Sequence, residues 1–191
     1  VMESATKYAS FEEFCDHIED PYELYNWLTR SKVKHSSGSK NIVWPDDVVR
    51  TRSASNISIA LLVHYWAERK GLENYIGVCT YVGKKDGSPS EIITKCYTVV
   101  KTDNEETPYS MVVYDSNDNR LIESPKSPEE VLKSYAKTSS RAMARKNGLV
   151  ETVTSIMSRT EIGYIDSIYG KPYPLKKYMS EKHHFQTHID A

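Results

Sequence analysis

The densest run of apolar residues lies at positions 56–71, and its spacing predicts a helix that is buried on most sides. Apolar residues recur there at intervals of three and four, and further ones widen the apolar arc beyond a single stripe. Gly71 suits the position just after a helix end. Two shorter helices are predicted upstream: Ser10 opens an S-x-x-E capping box, and the Asp-Pro pair at 20–21 starts the second.

Three segments rich in β-formers follow the central helix, at residues 75–82, 92–101 and 111–115. Short polar segments separate them, so the pattern predicts antiparallel strands. Ser127-Pro128 then starts another helix, which we expect to run to Asn147-Gly148. The order of these elements predicts an α+β fold in which a buried central helix packs on an antiparallel sheet, with additional N- and C-terminal helices and an arm.

The 191 residues suit one domain with a core of its own. We divide the chain into an N-terminal helical segment (1–40), a core (41–125), a second helical segment (126–160) and a C-terminal arm (161–191). The arm is rich in Tyr, Gly, Pro and His with weak periodicity, and we expect it to pack elsewhere, on a partner for example.

Charge and composition narrow the function classes. The 25 basic and 26 acidic residues nearly cancel, so no basic field favours nucleic acid, and no apolar run is long enough to span a membrane. The first residues carry no apolar leader, and no signal peptide is expected. Cys15, Cys79 and Cys96 predict reduced, buried thiols in a reducing compartment, hence a cytoplasmic protein. His184 and His188, spaced i, i+4, are weak metal candidates; we expect no cofactor.

Three short motifs surround the predicted helix and strands. Arg52-Ser-Ala-Ser-Asn56 stands directly before the helix. Lys95-Cys-Tyr97 lies within the second strand, and Val112-Val-Tyr-Asp115 ends the third. This arrangement resembles the transglutaminase-like (papain-like) thiol enzyme superfamily, in which Arg-x-Gly-Asp/Asn-Cys opens a buried helix. A His-small-aromatic triplet and a strand-ending Asp follow there. The resemblance covers residues 48–118 and implies that positions 56, 95 and 115 stand where that family carries its triad.

The departures from the family motif indicate a protein that has lost catalysis. Asn56 offers no nucleophile, and Lys95 is cationic at neutral pH and therefore a poor general base. Asp115 alone matches, and beside it a lysine is expected to form a structural ion pair. Two alternatives stay open. One is an active hydrolase or acyltransferase that uses Ser55 with Lys95 or a thiol placed elsewhere, and the other is a small-ligand binder that uses the relict cleft.

The resemblance also implies where contacts with other molecules would lie. Arg52, Tyr97 and Tyr114 flank the triad positions and are candidate binding residues, and the 14 tyrosines suit a contact surface. We therefore expect a structural or assembly module that binds a protein partner or itself. Similar modules occur among tailed-bacteriophage proteins, which would place the chain in a virion or host cytoplasm. Lys95 and Asp115 should face Asn56 from adjacent strands, and Trp44 and Trp66 should be buried.

Overall fold

A computed structural model describes residues 7–35, 42–85, 88–147 and 149–167. Its helices are α1 (Phe11–His17), α2 (Pro21–Arg30), α3 (Pro45–Thr51), α4 (Asn56–Arg69), α5 (Pro128–Asn147) and α6 (Arg159–Ser167). Its strands are β1 (Lys34–His35), β2 (Ser53–Ala54), β3 (Asn74–Lys85), β4 (Ser88–Lys101), β5 (Tyr109–Tyr114), β6 (Asn119–Ser124) and β7 (Leu149–Ile156). Strands β1 and β2 form a short parallel pair, and the other five form an antiparallel sheet in the order β6-β5-β4-β3-β7. The predicted α+β class is confirmed.

The predicted helix starts are confirmed by side-chain caps, which satisfy backbone amides that have no partner inside a helix. The Ser10 hydroxyl accepts a hydrogen bond from the Glu13 amide at 3.1 Å and starts α1. The Asp20 carboxylate accepts one from the Glu23 amide at 2.8 Å and starts α2. Helix α4 begins in the same way, with Ser55 as its cap.

The two faces of the sheet carry different helices. Alternate residues of a strand point to opposite faces, so Cys96 packs against α4 while its neighbour Tyr97 packs against α5. Helix α4 has buried residues all round, since the sheet covers one side of it and α2 and α3 lie near the other. Trp44 and Trp66 are both buried, as predicted, and the Trp66 indole donates to the Ile18 carbonyl at 2.9 Å.

Four parts of the chain differ from the expectations. The segment 126–160 is not all helical, because Leu149–Ile156 forms β7 on the β3 edge of the sheet. Pro45–Thr51 forms a helix that the sequence analysis did not predict, α3, and Asn119–Ser124 forms an additional strand, β6. In the expected arm, Arg159–Ser167 is helical. The rest of that arm, with His184 and His188, lies outside the described residues.

The three cysteines have the structural surroundings that the sequence predicts, and His64 is a hydrogen-bonded residue of the core. Cys15, Cys79 and Cys96 are free and buried. The buried His64 ring lies 2.6 Å from the Asn74 side-chain oxygen, as expected for a hydrogen-bonded core histidine. No helix among the described residues has the length and apolar character needed to cross a bilayer.

One glycine sets the distance between the sheet and α5. A Cβ placed on Gly77 of β3 would lie 2.7 Å from both terminal carbons of Leu132, which is buried on α5. The absence of a side chain at Gly77 therefore lets the helix approach the sheet closely. Gly71 has a different role: with φ at +70° it takes the left-handed position after α4, as its place in the sequence predicts.

We expect Gly77→Ala to lower the free energy of unfolding by about 1–3 kcal/mol, since the added methyl overpacks the contact with Leu132. Urea unfolding measures the loss. Gly163→Ala is the matched control, because a Cβ there meets nothing within 4 Å, and it should cause no loss. Equal losses in the two variants would contradict the close-approach explanation.

Candidate functional site

Asn56, the first of the three positions that the sequence motifs single out, makes a structural hydrogen bond. It is the first residue of α4, and its side-chain oxygen accepts from the Cys96 backbone amide at 2.6 Å. The prediction that Asn56 opens a buried helix is confirmed. The bond joins the start of α4 to β4 one residue from Lys95. A carboxamide in this role brings neither a nucleophile nor a base to the site.

Ser55, the alternative nucleophile, is buried and engaged in the helix cap. Its hydroxyl lies 2.8 Å from the Ser58 hydroxyl and accepts from the Ser58 amide at 3.4 Å. The Ser58 oxygen also accepts from the Val43 amide at 2.8 Å. Within the part of the chain that the structure describes, no histidine or lysine is bonded to Ser55. A serine without an adjacent base is a weak nucleophile.

Lys95 and Asp115 form the ion pair expected from the sequence. Continuing the β4–β5 register from Val99 opposite Met111 places the two residues opposite each other. The Lys95 Nζ lies 3.4 Å from an Asp115 carboxylate oxygen, and the two side chains are only 14% and 6% exposed. The pair is therefore largely withdrawn from water, and an unpaired charge in this buried position would be costly.

Three further donors hold the Asp115 carboxylate. The Tyr97 hydroxyl donates to the oxygen that faces Lys95 at 3.0 Å. The backbone amides of Asn117 and Asp118 donate to the other oxygen at 2.8 and 3.0 Å. Both oxygens thus have two partners each, and the carboxylate fixes the turn between β5 and β6.

The expectation that Lys95 and Asp115 face Asn56 is wrong. Cys96, which contacts the first turn of α4, points to the α4 face, so the alternation along β4 turns Lys95 to the α5 face. Asp115 lies on that same face. Neither Asn56 nor Ser55 lines the space into which the ion pair opens. The order of the three positions along the fold is as expected, but their side chains do not converge.

The ion pair opens into a cleft of about 410 Å³ between the sheet, the β5–β6 turn and α5. Ladder pairing between β4 and β5 extends only over Val99–Lys101 and Tyr109–Met111, and beyond it the strands separate. The polar end of the cleft is formed by Lys95, Tyr97, Asp115, Asp118, Arg120 and Tyr135. The opposite end is apolar. This volume is within the range of small-molecule sites.

Tyr97 and Tyr135 close the polar end of the cleft. Their rings meet edge to face with centroids 5.1 Å apart. The Tyr135 hydroxyl donates to Asp118 at 3.0 Å, and Arg120 donates to the same Asp118 oxygen while stacking on the Tyr135 ring. Burial raises the pKa of both tyrosines, so both hydroxyls stay protonated and act as donors.

The other candidate binding residues lie outside the cleft. Tyr114 points to the opposite face, where its hydroxyl donates to the Val33 carbonyl at 2.8 Å. Arg52 ends α3 in a left-handed conformation with φ at 56°, and one of its terminal nitrogens is buried without a partner among the described residues. Of Arg52, Tyr97 and Tyr114, only Tyr97 lines the cleft.

His35 is a partly buried residue beside Tyr114 that the sequence did not indicate. Its ring lies 4.6 Å from the Tyr114 ring. Burial lowers the pKa of His35, the Asp115 charge acts in the opposite direction, and the Lys95 charge lowers it further. Cys79 lies across from Lys95 on β3, but burial raises the pKa of its thiol to about 12, which makes a thiolate unfavourable.

The described residues contain no cluster of three or more metal-ligating side chains. Searches of protein-family models, of curated proteins and of solved structures find no match to this chain.

We expect Asp115→Asn to lower the free energy of unfolding by about 3–5 kcal/mol, because it leaves the Lys95 ammonium largely buried without a counter-charge. Lys95→Met should cost less, since three hydrogen bonds still hold the carboxylate. In the double variant the losses should be less than additive. Urea unfolding of all three variants measures this, and additive losses would show that the two charges do not interact.

We expect His35→Gln to flatten the pH dependence of stability. Because the folded pKa lies below the unfolded value of 6.5, the neutral ring stabilises the fold fully above that value. This contribution is lost as pH falls through the folded pKa. Unfolding measured between about pH 7.5 and pH 5.5 should show a smaller fall in stability for the variant than for the wild type. His17→Gln, at the exposed end of α1, is the control, and equal pH slopes in wild type and His35→Gln would refute the assignment.

Proposed function

We propose that the chain is a non-catalytic module with a transglutaminase-like core that acts by binding a protein partner or a second copy of itself. The observation that carries the proposal is that the groups at positions 55, 56, 95 and 115 are engaged with one another or with backbone. Ser55 caps α4, Asn56 holds the Cys96 amide, and Lys95 pairs with Asp115. No nucleophile–base pair is formed among them.

The order of elements supports a transglutaminase-like core. A buried helix is followed by antiparallel strands, its first residue contacts the strand β4 at Cys96, and Lys95 on that strand forms an ion pair with Asp115 at the end of β5. The direction of the side chains argues against a surviving active site, because Lys95 and Asp115 lie on the face of the sheet that is opposite to α4. A fold of this kind would present binding surfaces rather than an active site.

The tyrosine-lined cleft supports binding as the activity of the module. It joins a polar end to an apolar end, and a mixture of apolar and polar lining residues is typical of small-molecule pockets. Its residues come from the sheet, a tight turn and one long helix, so the site is held on regular elements. The same cleft favours a small-ligand binder as the second candidate function.

The proposal predicts that the native protein is inert toward probes for activated nucleophiles. A fluorophosphonate should not label Ser55, whose hydroxyl lacks a base, and iodoacetamide should not label the three buried cysteines. Mass spectrometry of intact protein measures labelling, with Ser55→Ala as the matched variant. The unfolded chain is the positive control, since its cysteines should then react. Stoichiometric fluorophosphonate labelling that disappears in Ser55→Ala would overturn the non-catalytic proposal.

A further inference from the structure

The cleft beside α5 has a polar and an apolar end in a fixed order. Tyr97 meets Tyr135 at one end, while Ile93 and Met143 line the other. From Tyr135 to Met143 the helix advances roughly 12 Å. From Tyr97 to Ile93 the strand advances roughly 13 Å. The two walls therefore run alongside each other from the polar end to the apolar end, and a matching ligand has a polar head on an apolar body.

The charges that line the cleft cancel. Lys95 pairs with Asp115, and Arg120 pairs with Asp118. An added anion would meet two carboxylates as well as two cations, and an added cation would meet the reverse. The balance favours a head group without net charge.

The Lys95 ammonium can donate hydrogen bonds to more groups than Asp115 alone. Both Asp115 oxygens already accept two contacts each, from Lys95 and Tyr97 on one and from the turn amides on the other. The Lys95 ammonium has three N–H groups. Among the described residues Asp115 is its one partner, at the long distance of 3.4 Å. A ligand in the cleft can therefore place a hydrogen-bond acceptor against the Lys95 ammonium.

We propose that the cleft binds an uncharged acyl amide: its carbonyl oxygen accepts a hydrogen bond from Lys95, and its apolar chain lies between Ile93 and Met143. The amide suits the balanced charges, and the apolar chain covers the end of the cleft that Ala142 also lines. Such a group is carried by a small acyl amide or by an apolar residue in a partner's peptide chain. The inference rests on the proposed binding function, which it deepens by naming the group that is bound.

Isothermal titration of the full chain with hexanamide and hexanoate tests the proposal. Hexanamide should bind with one site per chain and more tightly than hexanoate, because the cations that would attract the hexanoate charge are already paired with Asp115 and Asp118. Lys95→Met should weaken hexanamide binding about ten- to hundred-fold, the loss expected for a hydrogen bond to a charged donor. Lys137→Met is the matched control on the exposed side of α5 and should bind as the wild type does.

Ala142→Trp keeps the test independent of the ion pair. The indole would fill the apolar end of the cleft without touching Lys95, and it should abolish binding. Circular dichroism checks that this variant is folded. N-acetyl-leucinamide distinguishes the source of the amide: tighter binding of this compound than of hexanamide indicates a peptide, and the opposite order a small acyl amide. Either order of the two affinities supports the proposal, provided that Ala142→Trp blocks the binding of the amides.

Three results would overturn the proposal: no binding of either amide, tighter binding of hexanoate, or binding that neither Lys95→Met nor Ala142→Trp changes. These failures are distinct from failure of the proposed function. Labelling of Ser55 would refute the non-catalytic proposal, while the titrations would still report on the cleft. A cleft without affinity would refute the ligand proposal, while the labelling result for Ser55 would still stand.

Discussion

The burial of one carboxylate constrains this part of the molecule most strongly. A buried charge is tolerated only where it is paired and hydrogen-bonded, and Asp115 meets that condition with four contacts drawn from β4 and from the β5–β6 turn. Because the turn amides point at Asp115, the next residues are placed so that Asp118 reaches Tyr135 on α5. The turn that this charge fixes is thereby hydrogen-bonded to α5 at the polar end of the cleft.

Asn56 solves a related problem on the other side of β4. Where β5 separates from β4, the Cys96 amide has no partner strand on that edge, and the Asn56 oxygen accepts its hydrogen bond. A thiol at position 56 would accept poorly and would leave a backbone amide unsatisfied. Asn56 thus has a structural role of its own, which agrees with the proposed non-catalytic core.

The sequence predicted those features that local chemistry determines. The cap at Ser10, the helix start at Asp20-Pro21, the glycine after α4 and the buried character of that helix are all readable within a few residues. Strand β7 could not be placed in the same way, because its partner β3 lies far upstream in the chain. Its β-branched residues are a strand signal, but they follow a strong helix and precede a helix, where periodicity is hard to divide.

The sequence did not predict which face of the sheet Lys95 points to, and the reason is different. A strand buried on one face alternates between apolar and polar residues, and the alternation reveals which residues point inward. Strand β4 is covered by α4 on one face and by α5 on the other, so Val99 and Val100 are both buried and no alternation remains to be counted. Only the pairing of Lys95 with Asp115 was predictable, since opposite charges in register attract whichever face they share.

The ion pair at the cleft has an effect that an apolar pair could not reproduce. Well-packed hydrophobic residues often stabilise a core at least as well as a buried ion pair does. Apolar side chains at 95 and 115, however, would leave the amides of Asn117 and Asp118 without their acceptor and would remove the donor that opens toward α5. The contribution of Lys95 and Asp115 is therefore geometric: Asp115 fixes the turn, and Lys95 presents a charged donor to a cleft whose charged lining residues balance.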